Sequence, residues 1–225
     1  MIKALLWDVD GTLIDFKAGE KAAISACFKI FGLGDCPDAY IEEYSEINSR
    51  YWRLLEQKKM TKQQILEERF REFFSLHGID PDTAPAFNKE YQVRLGDTVV
   101  FTDGAYETVK RLRGRVLQLG VTNGTFVAQD RKLHKSGLYK LLDKVFISEK
   151  VGFEKPDPRF FDAVLSSLPG VSRREIMIVG DSQTSDMEGG RRSGILTCFY
   201  NPLSLPFSEK VDFEISRIPE VEALL

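Results

Sequence analysis

Five short apolar runs, each ending abruptly at a polar or turn-forming residue, constrain this chain more than any other feature of its sequence. Ile2 to Trp7 stops at Asp8, and Arg115 to Val121 stops at Thr122-Asn123-Gly124. Lys144 to Ile147 runs into Ser148-Glu149, Ile176 to Val179 into Gly180-Asp181, and Ile195 to Tyr200 into Asn201-Pro202. Runs this short and this continuously apolar suit strands covered on both faces. Helical patterns lie between them: Tyr106 to Arg113 closed by Gly114, and Phe126 to Ser136 closed by Gly137. Phe160 to Leu168 follows Asp157-Pro158, a fitting N-cap and first helical position. Strands alternating with helices predict an α/β fold, a doubly wound parallel sheet with right-handed crossovers.

The stretch from about Phe16 to Gly96 breaks this rhythm with four helical patterns and no strand. Ile24, Cys27, Phe28 and Phe31 fall at i, i+3, i+4 and i+7, and Tyr44, Ile47, Tyr51, Leu54 and Leu55 repeat the stripe. Thr61 with Gln64 resembles a capping box ahead of Leu66, Phe70, Phe73 and Phe74, and a weaker helix covers about Thr83 to Leu95. The expected organisation is a catalytic core of residues 1–15 and 97–225 with a helical-bundle domain, residues 16–96, inserted into it. Most aromatic residues of the insertion are expected to be bundle core.

Composition excludes several function classes. Lys and Arg number 31 against 34 Asp and Glu, a net charge of −3, so no basic surface dominates, and a binder of nucleic acid polymers that works by phosphate neutralisation is usually more basic. Cys27, Cys36 and Cys198 are odd in number and have no histidine at metal-ligand spacing, which points to neither disulfides nor zinc. No apolar run approaches the roughly 20 residues of a membrane helix, and Met-Ile-Lys-Ala-Leu-Leu-Trp-Asp meets charge too soon to be a signal peptide. A cytoplasmic protein is expected.

Ligands of open α/β sheets bind beyond the carboxyl ends of the strands, so polar clusters there carry weight. Asp8-Val9-Asp10-Gly11-Thr12 follows the first run. A carboxylate at Asp8 can attack phosphorus, and Asp10 can protonate the departing oxygen and then take a proton from water. Asp-x-Asp alone fits a helix cap equally well, but the four fixed positions of Asp-x-Asp-Gly-Thr arise by chance in roughly one such chain in a thousand. Thr122 and Asn123, with neighbouring main-chain N–H groups, can hold phosphoryl oxygens, although an ordinary capped turn explains them as well. Lys155, beside Pro156, can offset charge between carboxylate and phosphate, whereas Lys150 reads as solvated. Asp181 can join Asp8 around a magnesium ion, and Asp186 either supports that shell or is simply a first-turn acid on the next helix.

These motifs, in this order and each at a strand end, closely resemble the haloacid dehalogenase (HAD) superfamily of phosphotransferases, over essentially the whole chain. The resemblance implies a Rossmann-like core carrying a mobile helical cap of the C1 type that governs substrate selectivity. It implies Asp8 as nucleophile, Asp10 as acid and base, Thr122 and Lys155 as phosphate-site residues, and Mg2+ held by Asp8, Asp181 and the main-chain carbonyl of Asp10. Val-Thr-Asn-Gly-Thr, Ile-Ser-Glu-Lys-Val-Gly-Phe-Glu-Lys-Pro and Gly-Asp-Ser-Gln-Thr-Ser-Asp look most like bacterial pyrimidine 5'-nucleotidases of the YjjG type. The expected activity is magnesium-dependent hydrolysis of a small phosphomonoester, a nucleoside 5'-monophosphate, by a monomer or homodimer. A sugar phosphatase or a phosphomutase of the β-phosphoglucomutase kind is the alternative. A dehalogenase needs neither Asp10 nor Asp181.

Overall fold

Each apolar run becomes a strand of one sheet. The computed structural model describes residues 1–207 and 210–225. β1 spans Ala4–Trp7, β2 Leu117–Thr122, β3 Lys144–Ile147, β4 Ile176–Gly180, β5 Leu196–Tyr200 and β6 Phe213–Ile215. The strand order is β3-β2-β1-β4-β5-β6, and every pairing is parallel. This is the doubly wound arrangement, with the change of direction between β1 and β4. The sequence did not disclose β6: a three-residue strand, Phe213-Glu214-Ile215, is too short to show a period.

The helices are α1 Phe16–Ile30, α2 Asp38–Glu56, α3 Lys62–Leu76, α4 Ala84–Asp97, α5 Ala105–Leu112, α6 Phe126–Ser136, α7 Ser148–Val151, α8 Pro158–Ser166 and α9 Glu188–Arg192. Local chemistry sets their ends. Thr125 caps α6 by accepting from the Ala128 N–H, and Gly137 closes it at φ 76°. Asp157 caps α8 by accepting from the Arg159 N–H, with Pro158 in the first turn. The Thr61–Gln64 capping box opens α3.

The chain divides into two compact units, Met1–Phe16 with Val99–Leu225, and Lys17–Thr98. In the first unit alternate residues of β1 serve opposite faces of the sheet. Leu5 and Trp7 pack with Val109, Leu112 and Leu133 on one side. Ala4 and Leu6 pack with Phe160, Phe161 and Val164 on the other. Each such aliphatic or aromatic side chain contributes about 1.5–3 kcal/mol on burial. Trp7 donates its indole N–H to Gln118 at 3.1 Å, and Gln118 donates to the Val109 carbonyl at 2.9 Å, so the polar edge of this buried ring is satisfied.

The second unit is a helical bundle with an aromatic core, built on Phe28, Tyr44, Phe70, Phe73, Phe74, Phe87 and Tyr91, all fully buried. Tyr44 stacks on Phe70 at 4.8 Å, and Phe87 meets Phe74 edge-on at 5.0 Å. A polar chain also runs through this core. Glu20 accepts from Ser45 at 2.6 Å and from Asn48 at 2.7 Å, while Asn48 accepts from Arg69 at 2.6 Å. Arg69 then donates to Asn88 at 3.0 Å. No periodicity argument revealed that chain, because its members interrupt the apolar stripes.

Candidate active site

β1 and β4 deliver their first residues beyond the sheet to the same edge. Trp7 pairs with Val179, so Asp8 and Asp181 leave adjacent strands at nearly the same level, and the Asp8 N–H donates to the Val179 carbonyl at 2.9 Å. The topological switch thus places two carboxylates side by side. Gly11 makes this possible. Its φ of 89° is unfavourable for other residues, and a β-carbon there would overlap the Asp181 carboxylate. Thr12 donates to Asp181 Oδ1 at 3.0 Å and fixes its orientation.

Lys155 reaches the same point from the loop between α7 and α8 and is 1 % exposed. Its ammonium donates to Asp8 Oδ1 at 2.6 Å, to Asp186 Oδ1 at 2.6 Å and to the Val121 carbonyl at 3.0 Å. All three of its protons are therefore committed to protein acceptors. Burial opposes its charge, but Asp186 and Asp8 prevail and hold its pKa above the ordinary lysine range. Asn123 positions this lysine through the main chain, donating to the Lys155 carbonyl and accepting from the Lys155 N–H, each at 2.8 Å. The Asn123 side chain is thus engaged with the Lys155 loop, and its main-chain N–H is a donor of the kind expected for phosphate. Thr122, also buried, accepts from the Gly124 N–H at 3.0 Å. Lys150, by contrast, is exposed and lies over the Phe126 ring at 4.0 Å.

Asp186 is fully buried in the single π-helical turn Gln183–Met187. Its oxygens accept from Lys155 and, at 3.2 Å, from the Ser182 N–H. Carboxylate oxygens of Asp8, Asp181 and Asp186 lie within 4.8 Å of one another. Burial pushes the Asp8 carboxyl well up from its ordinary value; Lys155 offsets part of this, and the charges of Asp186 and Asp181 add to it. Asp181 keeps an edge open to solvent, yet burial of its carboxyl, followed by the charge of Asp186, pushes it up to about 6. Oxygen donors crowded so closely that their ionisation is disfavoured fit a hard divalent cation such as Mg2+.

Asp10 points elsewhere. Its carboxylate pairs with the Lys132 ammonium and accepts from Gln129 Nε2 at 2.5 Å, both from α6. Neither α6 residue was among the sequence candidates. The available signal was a lysine and a glutamine on the same buried stripe as Ala128, Leu133 and Ser136. Counting both contacts of Lys155, four carboxylates here face two ammonium groups.

Comparison with known proteins agrees with the fold. The family model described as haloacid dehalogenase-like hydrolase matches residues 5–200. The HAD-hydrolase YfnB of Bacillus subtilis is 32% identical over 99% of this chain and 95% of its own. Its crystal structure bound to magnesium superposes with a TM-score of 0.92, covering 99% of this chain and 98% of that one at 30% identity. Pyrimidine 5'-nucleotidase PynA of Streptococcus pneumoniae is 36% identical over 89% of this chain and 84% of its own. Pyrimidine 5'-nucleotidase YjjG of Escherichia coli is 26% identical over 82% of this chain and 81% of its own.

Proposed function

The chain belongs to the haloacid dehalogenase-like hydrolase family, and from that premise we propose that it is a magnesium-dependent phosphatase acting on nucleoside 5'-monophosphates through a phosphoaspartate at Asp8. The observation that carries this reading is the buried Asp8 carboxylate at the end of the central strand, held by Lys155 beside Asp181 and Asp186.

The Asp8 carboxylate attacks phosphorus as the ester P–O bond breaks, and Asp10 gives its proton to the departing oxygen. A water then attacks the phosphoryl group on Asp8, Asp10 takes the water's proton, and inorganic phosphate leaves with Asp8 restored. Lys155 offsets the repulsion between the Asp8 carboxylate and the phosphate dianion. The Thr122 hydroxyl and the Asn123 main-chain N–H hold phosphoryl oxygens. Asp8, Asp181 and the Asp10 carbonyl would hold Mg2+, with Asp186 behind them. Bound there, the cation would neutralise charge on the phosphoryl oxygens and align attack and departure.

The nucleotide preference rests on the names of PynA and YjjG and on the aromatic content of the inserted helices. Phe28 and Tyr44 are buried in the bundle, whereas Phe31, Tyr40, Tyr51 and Trp52 are partly exposed and available to a base. The protein acts in the cytoplasm on small metabolites, as a monomer or homodimer. No helix among the described residues is long and apolar enough to cross a membrane.

The test is turnover of p-nitrophenyl phosphate with Mg2+ and with EDTA, followed by kcat/KM for dUMP, dTMP, UMP, AMP and glucose 6-phosphate. Activity that disappears in EDTA and returns with Mg2+ is expected. Pyrimidine nucleotides should exceed glucose 6-phosphate by a modest factor, since apolar contact discriminates by about 1–3 kcal/mol. Full activity in EDTA defeats the metal assignment, and glucose 6-phosphate matching every pyrimidine nucleotide defeats the nucleotidase assignment.

A further inference from the structure

The four strand-end motifs leave the surroundings of Asp10 unexplained. Both oxygens of its carboxylate are engaged by α6, Oδ1 by the Lys132 ammonium and Oδ2 by the Gln129 amide at 2.5 Å. Lys132 and Gln129 stand three residues apart on one face of the helix, and each is 1 % exposed. Burying an ammonium group is unfavourable unless a counter-charge meets it, so the position of Lys132 is bound to that of Asp10. Gln129 fits because residue 124 is glycine: a β-carbon there would overlap the Gln129 amide.

Asp8, Asp181 and Asp186 gather their oxygens into one cluster, and the Asp10 carboxylate does not join it. It lies two residues from Asp8 in the same loop, so this separation has to be enforced. A divalent cation at the cluster attracts any carboxylate in reach, and a carboxylate bound to the cation is a poor proton donor.

We propose that Lys132 and Gln129 form a two-point clamp that keeps the Asp10 side chain out of the cation site and aims it for proton transfer. This inference rests on the reading of Asp10 as the acid and base. Both are positioning residues: the proton that reaches the ester oxygen is the Asp10 proton, and it is replaced from the attacking water.

The experiment uses the full chain with Lys132→Met and Lys132→Arg. Mg2+ affinity is measured by calorimetry with the metal alone, and kcat/KM is measured on dUMP and on p-nitrophenyl phosphate. The kcat/KM parameter covers steps up to loss of the leaving group, and p-nitrophenolate departs without a proton. For Lys132→Met, Mg2+ should bind several-fold more tightly, because the Asp10 carboxylate is released toward the cluster. Turnover of dUMP should fall by about 10²-fold, the order of loss for a misplaced reacting group. The loss with p-nitrophenyl phosphate should be much smaller, and Lys132→Arg should restore most of the dUMP activity.

Weaker or unchanged Mg2+ binding in Lys132→Met overturns the clamp, as do equal losses with the two esters. Should Lys132→Met fail to fold, Gln129→Leu removes one contact without stranding an ammonium group. It should shift both readouts in the same directions by roughly tenfold or less. If the wild-type enzyme turns over neither ester, the phosphatase reading fails, while the clamp is still decided by Mg2+ affinity.

Discussion

Both units of this protein bury ionised groups, and they balance them differently. In the helical unit, Glu20 and Arg69 are 1 % and 2 % exposed and are joined through Asn48, which donates to the one and accepts from the other. One buried carboxylate meets one buried guanidinium through a neutral amide, a hydroxyl and a second amide add further contacts, and the largely exposed Lys17 ammonium stands 3.7 Å from Glu20. Arg69 Nε has no acceptor, but the guanidinium lies over the Phe70 and Tyr91 rings at 5.0 and 5.3 Å. At the site in the sheet unit, the four carboxylates of Asp8, Asp10, Asp181 and Asp186 face the two ammonium groups of Lys132 and Lys155, and burial pushes Asp8 and Asp181 upward. A balanced network orders a bundle core. An unbalanced one disfavours the charged protein by itself and is relieved by something from outside, as expected of a site arranged for a cation and a reaction.

The strongest way to break this comparison is Asp8→Asn. Turnover should fall by more than about 10⁴-fold, because an amide is a poor nucleophile and metal ligand. The metal-free variant should also melt at a higher temperature than metal-free wild type, since a disfavoured buried charge is gone. A few per cent of residual activity would remove Asp8 from its role, and a lowered melting temperature would deny the electrostatic imbalance.

Asp10→Asn should reduce kcat/KM on nucleotides by about 10² to 10⁴ and on p-nitrophenyl phosphate by clearly less. A steady-state comparison of the two esters checks this; equal losses would argue against proton donation.

The balanced network should respond in stability instead. Arg69→Leu should lower unfolding free energy in urea by about 3–5 kcal/mol, because it removes the buried counter-charge of Glu20 and leaves the carboxylate with amide and hydroxyl donors and the largely exposed Lys17 ammonium at 3.7 Å. The double replacement Glu20→Leu with Arg69→Leu should regain part of that loss. If it is no more stable than the single variant, the two charges are not coupled.

The smallest expected effect sharpens the electrostatic side. Mg2+ at a hundred times its dissociation constant should stabilise the native protein by about 2.7 kcal/mol, and Asp181→Ala should abolish most of this. Without metal, Asp181 has a folded pKa of about 6 against an ordinary 3.8. Its contribution is therefore fully favourable below pH 3.8 and is lost as pH rises through 6, so Mg2+ should stabilise more at pH 7 than at pH 5. Thermal melts at the two pH values decide it.

Much of the fold was legible because burial on two faces leaves a continuous apolar run, and burial on one face of a helix leaves a 3.6-residue stripe. Those patterns located β1 to β5, the α6 and α8 caps, the four inserted helices and the loops that carry Asp8, Asp10, Thr122, Lys155 and Asp181. β6 escaped because three residues cannot display a period. The even choice for Asp186 was open because an acid in a first helical turn has the same local pattern whether it serves the helix or, as here, meets Lys155.

The amino-acid sequence by itself determined which side chains stand at the ends of the strands, since strand termini and turn residues are local properties. Only the tertiary structure decided what those side chains touch. Thr12 meets Asp181 across 169 residues, Lys155 meets Asp8 across 147, and Gln129 meets Asp10 across 119. Partnership at such separations follows from strand order, in particular the β1–β4 switch, and from the angle at which α6 packs. Local periodicity records that Lys132, Gln129, Glu20 and Arg69 lie on buried faces or interrupt apolar stripes. The counter-charge that makes each burial tolerable is supplied by a distant segment, and that is settled only when the chain has folded.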